Sequence, residues 1–267
     1  MSSGAAVARR PRPLAFVAGA AVGVLGGMIG LGGAEFRLPL LLLLFGFTAL
    51  PAVVFNKAMS LVVVATALPA RLIAVPPGEL GHEWDVVLNL LTGSLIGAWL
   101  GATWAIRMRS ATLYKVLAVL LVLMAAVLAA HHAGTVSELD LPSGARFVAG
   151  VVAGVGIGVV AALMGVAGGE LLIPTIVLLY GLDIKLAGSV GLAVSLPTML
   201  VAFARYSRDA SFAVLRENRG FAVAMAAGSV VGTVAGGLLL DVVPDDVLIP
   251  ILCVVLLLSS IKVWGHR

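Results

Sequence analysis

Gly30-Leu31-Gly32-Gly33-Ala34-Glu35-Phe36-Arg37-Leu38-Pro39 returns 135 residues later as Gly165-Val166-Ala167-Gly168-Gly169-Glu170-Leu171-Leu172-Ile173-Pro174. The same offset holds outward from this stretch without a gap. Phe45-Gly46 falls on Tyr180-Gly181, and Ser60-Leu61 falls on Ser195-Leu196. Gly93-Ser94, Gly97 and Gly101 fall on Gly228-Ser229, Gly232 and Gly236, while Gly19 and Gly23 fall on Gly154 and Gly158. A glycine-rich chain matches one glycine by chance. It does not match Glu, Pro, Ser and a glycine ladder in a single register, so the chain reads as two copies of one unit.

Composition says what surrounds those units. Of 267 residues, 61% are hydrophobic and only 11% are charged, with a mean hydropathy of +1.15. A soluble domain carries about 25% charged residues to cover its surface. This chain lacks them, so its solvent is lipid. Thirty-two glycines agree, because glycine is frequent in membrane helices. The net charge of +4 and pI near 9.6 would suggest a nucleic-acid partner in a soluble protein. Here the basic residues lie in short loops and ends, where they set orientation, and no nucleic-acid partner is expected. Cys253 is the single cysteine and lies in an apolar run, so it reads as a small hydrophobe. The apolar stretch after Arg9, Arg10 and Arg12 imitates a signal peptide. Its recurrence in the second unit argues for a membrane segment instead.

Each unit contains five apolar segments: about 14–31, 36–47, 53–72, 84–106 and 112–131, then about 146–166, 171–182, 186–204, 219–240 and 247–264. The expected organisation is an N-terminal tail (1–13), repeat one (14–131), a linker (132–145) and repeat two (146–264). A spanning helix needs about 20 residues. The second segment of each unit is too short to cross alone, so it is a broken helix or one arm of a re-entrant hairpin. Loops 73–83, 132–145 and 241–246 carry acidic residues, whereas both chain ends and loops 107–111 and 205–218 carry Arg or Lys. By the positive-inside rule the basic parts are cytoplasmic, both termini included. Corresponding loops of the two units have opposite sign, so the units are inverted. Inversion requires an odd number of crossings per unit, met by five crossings or by three plus a hairpin. The predicted class is therefore an all-α polytopic membrane protein of two inverted repeats, an architecture typical of secondary transporters.

Paired interrupted segments are where such folds place substrate. Gly30, Gly32 and Gly33, matched by Gly165, Gly168 and Gly169, allow the backbone to leave helical geometry and expose N–H groups. Pro39 and Pro174 suit the first turn of a following short helix. Two half-helices would then aim amide-rich, positive ends at the midplane and attract an anion, unless the glycines serve only close packing. The ladders Gly93/Gly97/Gly101 and Gly228/Gly232/Gly236 each line one helix face and read as packing surfaces. Glu35 and Glu170 are ionisable groups in lipid, which default to function. They could bind and release protons and couple that movement to substrate, or cap the N–H groups of their half-helices. Arg37 and Lys57 stand where the second unit has Leu172 and Leu192, so one unit alone supplies cationic anchors; Lys57 could instead snorkel. Asn56, Ser60, Ser189 and Ser195 could donate to an oxyanion or join helices.

Adjacent histidines do not share a helix face, so His131 and His132 are no metal site. No nucleotide-binding GxxxxGK[ST], HExxH or GxSxG occurs, so neither an ATP-driven pump nor an intramembrane hydrolase is expected, and no enzyme activity, cofactor or metal.

GLGGAEFRLP and GVAGGELLIP, each ending a first helix, resemble the duplicated motif of the sulfite exporter TauE/SafE family of permeases. The resemblance covers about residues 14–264, with Ala34 and Ala167 interrupting the family's glycine run. It implies export of sulfite or a small organosulfur anion such as sulfoacetate across a bacterial inner membrane. The sequence reading is thus a multi-pass secondary transporter of a small oxyanion, whose halves rock around a midplane site, with Glu35 and Glu170 as candidates for proton coupling. A passive anion channel, or a cation or metal transporter using Glu35 and Glu170, is the alternative. The partners are the anion and lipid; the oligomeric state is not readable.

Overall fold

The structure is a computed structural model that describes residues 11–29, 33–74, 83–132, 139, 141–238 and 245–265. Among these residues there are helices and no strands. In chain order they are α1 (Arg12–Ile29), α2 (Ala34–Pro39, continued by a π-helical stretch Leu40–Leu44), α3 (Ala49–Ala74), α4 (Trp84–Arg107) and α5 (Ser110–His132). Then follow α6 (Ser143–Met164), α7 (Gly169–Tyr180), α8 (Ile184–Tyr206), a 3-10 turn (Ala210–Phe212), α9 (Ala213–Glu217), α10 (Arg219–Leu238) and α11 (Asp245–Trp264). The 3-10 turn and α9 occupy the stretch read from sequence as the loop 205–218. Six helices contain stretches long and apolar enough to cross a bilayer. The outer faces of these and of the shorter helices expose large apolar side chains such as Phe16, Ile96, Phe147, Val152, Val231 and Ile261. In water such a surface would be untenable, and in lipid it is what the solvent requires. The chain is therefore an all-α polytopic membrane protein.

The glycine ladders set the main packing. A methyl group on Gly93, Gly97 or Gly101 of α4 would collide with the carbonyl oxygens of Val151, Val155 and Val159 of α6. On Gly228, Gly232 or Gly236 of α10 it would collide with those of Phe16, Ala20 and Val24 of α1. The reverse contacts exist too: Gly154 and Gly158 meet Leu90 and Ser94, and Gly19 and Gly23 meet Met225 and Ser229. Every contact in one pair has its counterpart 135 residues away in the other. Residue numbers rise together along both pairs, so α1 lies parallel to α10 and α4 parallel to α6. Backbones this close gain dispersion contacts that side chains would forbid.

Side-chain contacts fix which ends share a face. Arg12 and Gly220 are neighbours, so α1 and α10 start together; that end is called face A. Phe45, at the end of the α2 stretch, stacks on Phe221, with ring centroids 4.8 Å apart. The α1–α2 pair thus leaves face A and returns to it. Phe55, near the start of α3, joins the same stack at 5.3 Å, so α3 runs from A toward the opposite face B. Arg205 Nε donates to Thr103 Oγ1 (3.0 Å) and Ser94 bonds to Thr198 (2.7 Å), so α4 and α8 run parallel toward A. Lys115 sits over the Trp264 ring (5.7 Å), placing the end of α11 at A. Cys253, half-buried, reaches the Ala125 carbonyl (3.5 Å) where α11 crosses α5.

Since α6 is parallel to α4, it starts at B, opposite to α1. Asn89 Nδ2, one turn into α4, donates to the Tyr180 hydroxyl at the end of α7 (2.8 Å). Leu139 N–H donates to the Leu178 carbonyl (2.9 Å). Hence α6 and α7 form a second hairpin, entering and leaving at B. Of the two options left open by charge, these contacts favour a hairpin followed by three crossings in each unit. A 12-residue α7 is about 18 Å long, enough to reach the middle of the bilayer but not to cross it. The acidic stretches 75–82, 133–138 and 239–244 lie outside the described residues.

Candidate functional site

The tips of the two hairpins meet. α2 begins after Gly33 (φ +65°) and α7 after Gly168 (φ +89°), both left-handed and accessible to glycine without strain. Neither start has a side-chain cap. The first helical bonds return to Gly33 and Gly168 from Phe36, Arg37, Leu171 and Leu172. No helical carbonyl precedes the Ala34, Glu35, Gly169 and Glu170 amides, as at every helix start. Gly30 and Gly32 lie outside the described residues. The helices start two residues earlier than the sequence suggested, so Pro39 and Pro174 stand at their sixth positions rather than in the first turn. There, lacking N–H groups, they leave the carbonyls of Glu35 and Glu170 without the usual i→i−4 partner.

Glu35 and Glu170 face one another, with their carboxyl groups within hydrogen-bonding reach. Glu35 is buried. Glu170 is half-buried as a residue, yet both its carboxyl oxygens, and Glu35 Oε2, are sealed and accept from no N–H or O–H donor. Two carboxylates are acceptors only, so a hydrogen bond between them requires at least one proton on the pair.

Beside them the break between α6 and α7 is held by α3 and α8. Gly165 (φ +71°) ends α6 in a Schellman arrangement: Gly165 N–H donates to Ala162 and Val166 N–H to Ala161. Lys57 Nζ donates to the carbonyls of Ala161 (2.9 Å) and Val166 (2.6 Å). Asn56 Nδ2 donates to Met164 (3.0 Å) and also to Ala34 of the other hairpin (2.9 Å). Ser60 Oγ donates to Gly165 (3.1 Å) or Asn56 (2.8 Å), and Tyr206 to Ala162 (2.9 Å). Carbonyls stranded in lipid would each cost several kcal/mol. The Lys57 ammonium also opposes the negative end of the α6 dipole. Snorkelling is excluded, because Lys57 is fully buried.

Arg37, fully buried, reaches Asn56 Oδ1 (3.4 Å), Ser60 Oγ (3.5 Å) and Ser229 Oγ (3.4 Å). These distances are long for hydrogen bonds. Ser189 and Ser195 are buried on α8. Ser195 Oγ has no partner among the described residues. The structure thus brings together Gly33, Glu35, Arg37, Asn56, Lys57, Ser60, Gly165, Gly168, Gly169 and Glu170. Sequence reasoning missed Ser229 and Tyr206. Ser229 had a signal, being a polar residue within a glycine ladder and matched at Ser94.

Asn56→Leu keeps the branched shape and strips Ala34 and Met164 of their shared donor. Melting of the purified protein should show a loss of about 2–4 kcal/mol, and Ser60→Ala about 1 kcal/mol. Equal effects would mean that Asn56 does not tie the hairpins.

Two re-entrant hairpins meeting in the interior of a helical membrane bundle, with buried polar groups where they touch, define a membrane permease. The sequence comparison agrees: the family model for the sulfite exporter TauE/SafE matches residues 15–263, and the chain belongs to that family. No match was found among curated proteins or among solved structures.

Proposed function

We propose that the chain is a secondary transporter exporting sulfite or a similarly small organosulfur oxyanion across the inner membrane, coupled to protons. The observation that carries this reading is the meeting of two oppositely directed half-helix starts around Arg37, Glu35 and Glu170. The helix starts supply positive ends and amide donors. Arg37 supplies a guanidinium whose long contacts to neutral groups a bound oxyanion would replace with shorter, charge-assisted ones. The paired carboxyls supply a place for the transported proton. The repeats (14–131 and 146–264) are inverted in this reading, as the opposite starts of α1 and α6 support. Face A is cytoplasmic, since Arg107, Arg109, Arg205, Arg208, Arg216 and Arg219 lie at helix ends there.

A stability screen tests the ligand class, because a ligand at 100 times its Kd raises stability by about 2.7 kcal/mol. Sulfite or sulfoacetate should raise the melting temperature of the purified protein, and Arg37→Gln should abolish the rise. Stabilisation by divalent metals in place of the anions would transfer the site to cations. Efflux from liposomes that rises linearly with concentration, without saturating, would make the protein a channel.

A further inference from the structure

The two ends of the molecule, alike in backbone, differ in chemistry. At face A the mouth of the first hairpin is closed by Phe45, Phe47, Phe55 and Phe221, with ring centroids 4.8–5.6 Å apart. The positions 135 residues away at face B carry Tyr180 for Phe45, Asn89 for Ala224, and Arg146 for Pro11. Asn89 Nδ2 donates to the Tyr180 hydroxyl (2.8 Å). A methyl on Gly150 would strike both groups, so Gly150 is the floor beneath them. Arg146 stands one turn before Gly150 on the same face of α6.

Two polar atoms of this cluster are sealed and unsatisfied. Asn89 is only 6% exposed, and its Oδ1 has no donor; Arg146 Nε has no acceptor. Leaving such a pair unmade costs about 1–3 kcal/mol for each atom, more for the charged one.

We propose that Arg146, Tyr180 and Asn89 form a second oxyanion site at the face B mouth, through which substrate passes on its way to or from the centre. The sealed donor on Arg146 and the sealed acceptor on Asn89 call for one ligand with both an acceptor and a hydrogen: a singly protonated oxyanion of the bisulfite type. The Tyr180 hydroxyl, accepting from Asn89, gives its own hydrogen to the same anion. The proposal rests on the reading of the chain as an oxyanion carrier.

Full-length protein in phosphatidylcholine liposomes of known orientation, with bisulfite as probe, tests it. In Arg146→Gln the half-saturating concentration measured from face B should rise about tenfold, and that from face A by less than about twofold, as expected for loss of one charge-assisted bond at one mouth. Arg146→Lys should recover part of the loss, and Tyr180→Phe should give a smaller rise at face B only. An equal change from both faces, or none from face B, would overturn the proposal. Should wild-type protein carry no sulfite, the carrier reading fails separately. The mouth is then read by bisulfite titration of tryptophan fluorescence, Trp84 lying on the first turn of α4. A response lost in Arg146→Gln but kept in Arg37→Gln sustains the site. A response independent of Arg146, or none, leaves a water or an empty polar tie and ends it.

Discussion

Replacing both Glu35 and Glu170 by glutamine is expected to abolish the ability of a pH gradient to concentrate substrate. With membrane voltage held at zero and one proton moving per anion, a gradient of one pH unit sustains about a tenfold substrate gradient, since tenfold corresponds to about 1.4 kcal/mol. In the double variant the substrate gradient should fall to about one, while downhill flux persists. Glutamine keeps the size and hydrogen-bonding capacity of the carboxylic acid, so the tips of the hairpins should still meet. The expectation arises from geometry: two carboxyl groups within reach of one another, three of their oxygens sealed from any N–H or O–H donor. An ionisable pair inside a membrane bundle is a default candidate for function. Each single variant leaves one carboxyl and should retain part of the coupling. A double variant that still builds the tenfold gradient would remove the pair from the coupling mechanism.

Valine at Gly97 or at Gly232 should each cost about 3 kcal/mol, the upper part of the range for overpacked interiors. The obstacle in both cases is backbone. A side chain at Gly97 enters the Val155 carbonyl, and one at Gly232 enters the Ala20 carbonyl. A flexible side chain would swing away, whereas a helix carbonyl moves only with its helix. Both variants should therefore yield poorly folded protein in detergent, judged by melting and by size-exclusion profile. Valine at Gly156, where an added methyl meets nothing within 4 Å, should change stability by less than about 1 kcal/mol, since valine is no worse a helix former than glycine. Equal tolerance at Gly97 and Gly156 would contradict the packing described for α4 and α6.

Much of the fold was readable because lipid imposes few solutions. Segment lengths distinguished the 12-residue α7 from spanning helices, and the 135-residue offset located its counterpart before any geometry was known. Loop charge left either five crossings or a hairpin and three. What favours the hairpin is the level of Phe45 beside Phe221, and of Tyr180 beside Asn89, contacts between residues about 90 to 180 apart in sequence. Pattern alone carries no such information.

At the site, the Gly–Glu motifs announced themselves by repetition, and Glu35 did turn out to lie against Glu170. The employment of Asn56, Lys57 and Ser60 was less legible. A polar residue in a membrane helix looks the same whether it binds a ligand or caps a stranded carbonyl. Their donors reach carbonyls of the α6 break more than 100 residues away. The position of Pro39 was misjudged for a local reason: the left-handed Gly33 starts the helix earlier than the apolar pattern does.

The parallel pairing of α1 with α10, and of α4 with α6, binds each copy of the duplicated unit chiefly through the other. Neither half of the polypeptide contains the surface on which its own opening helix rests. The tightest helix packing therefore does not follow the boundary between copies: α1 lies against α10 and α4 against α6.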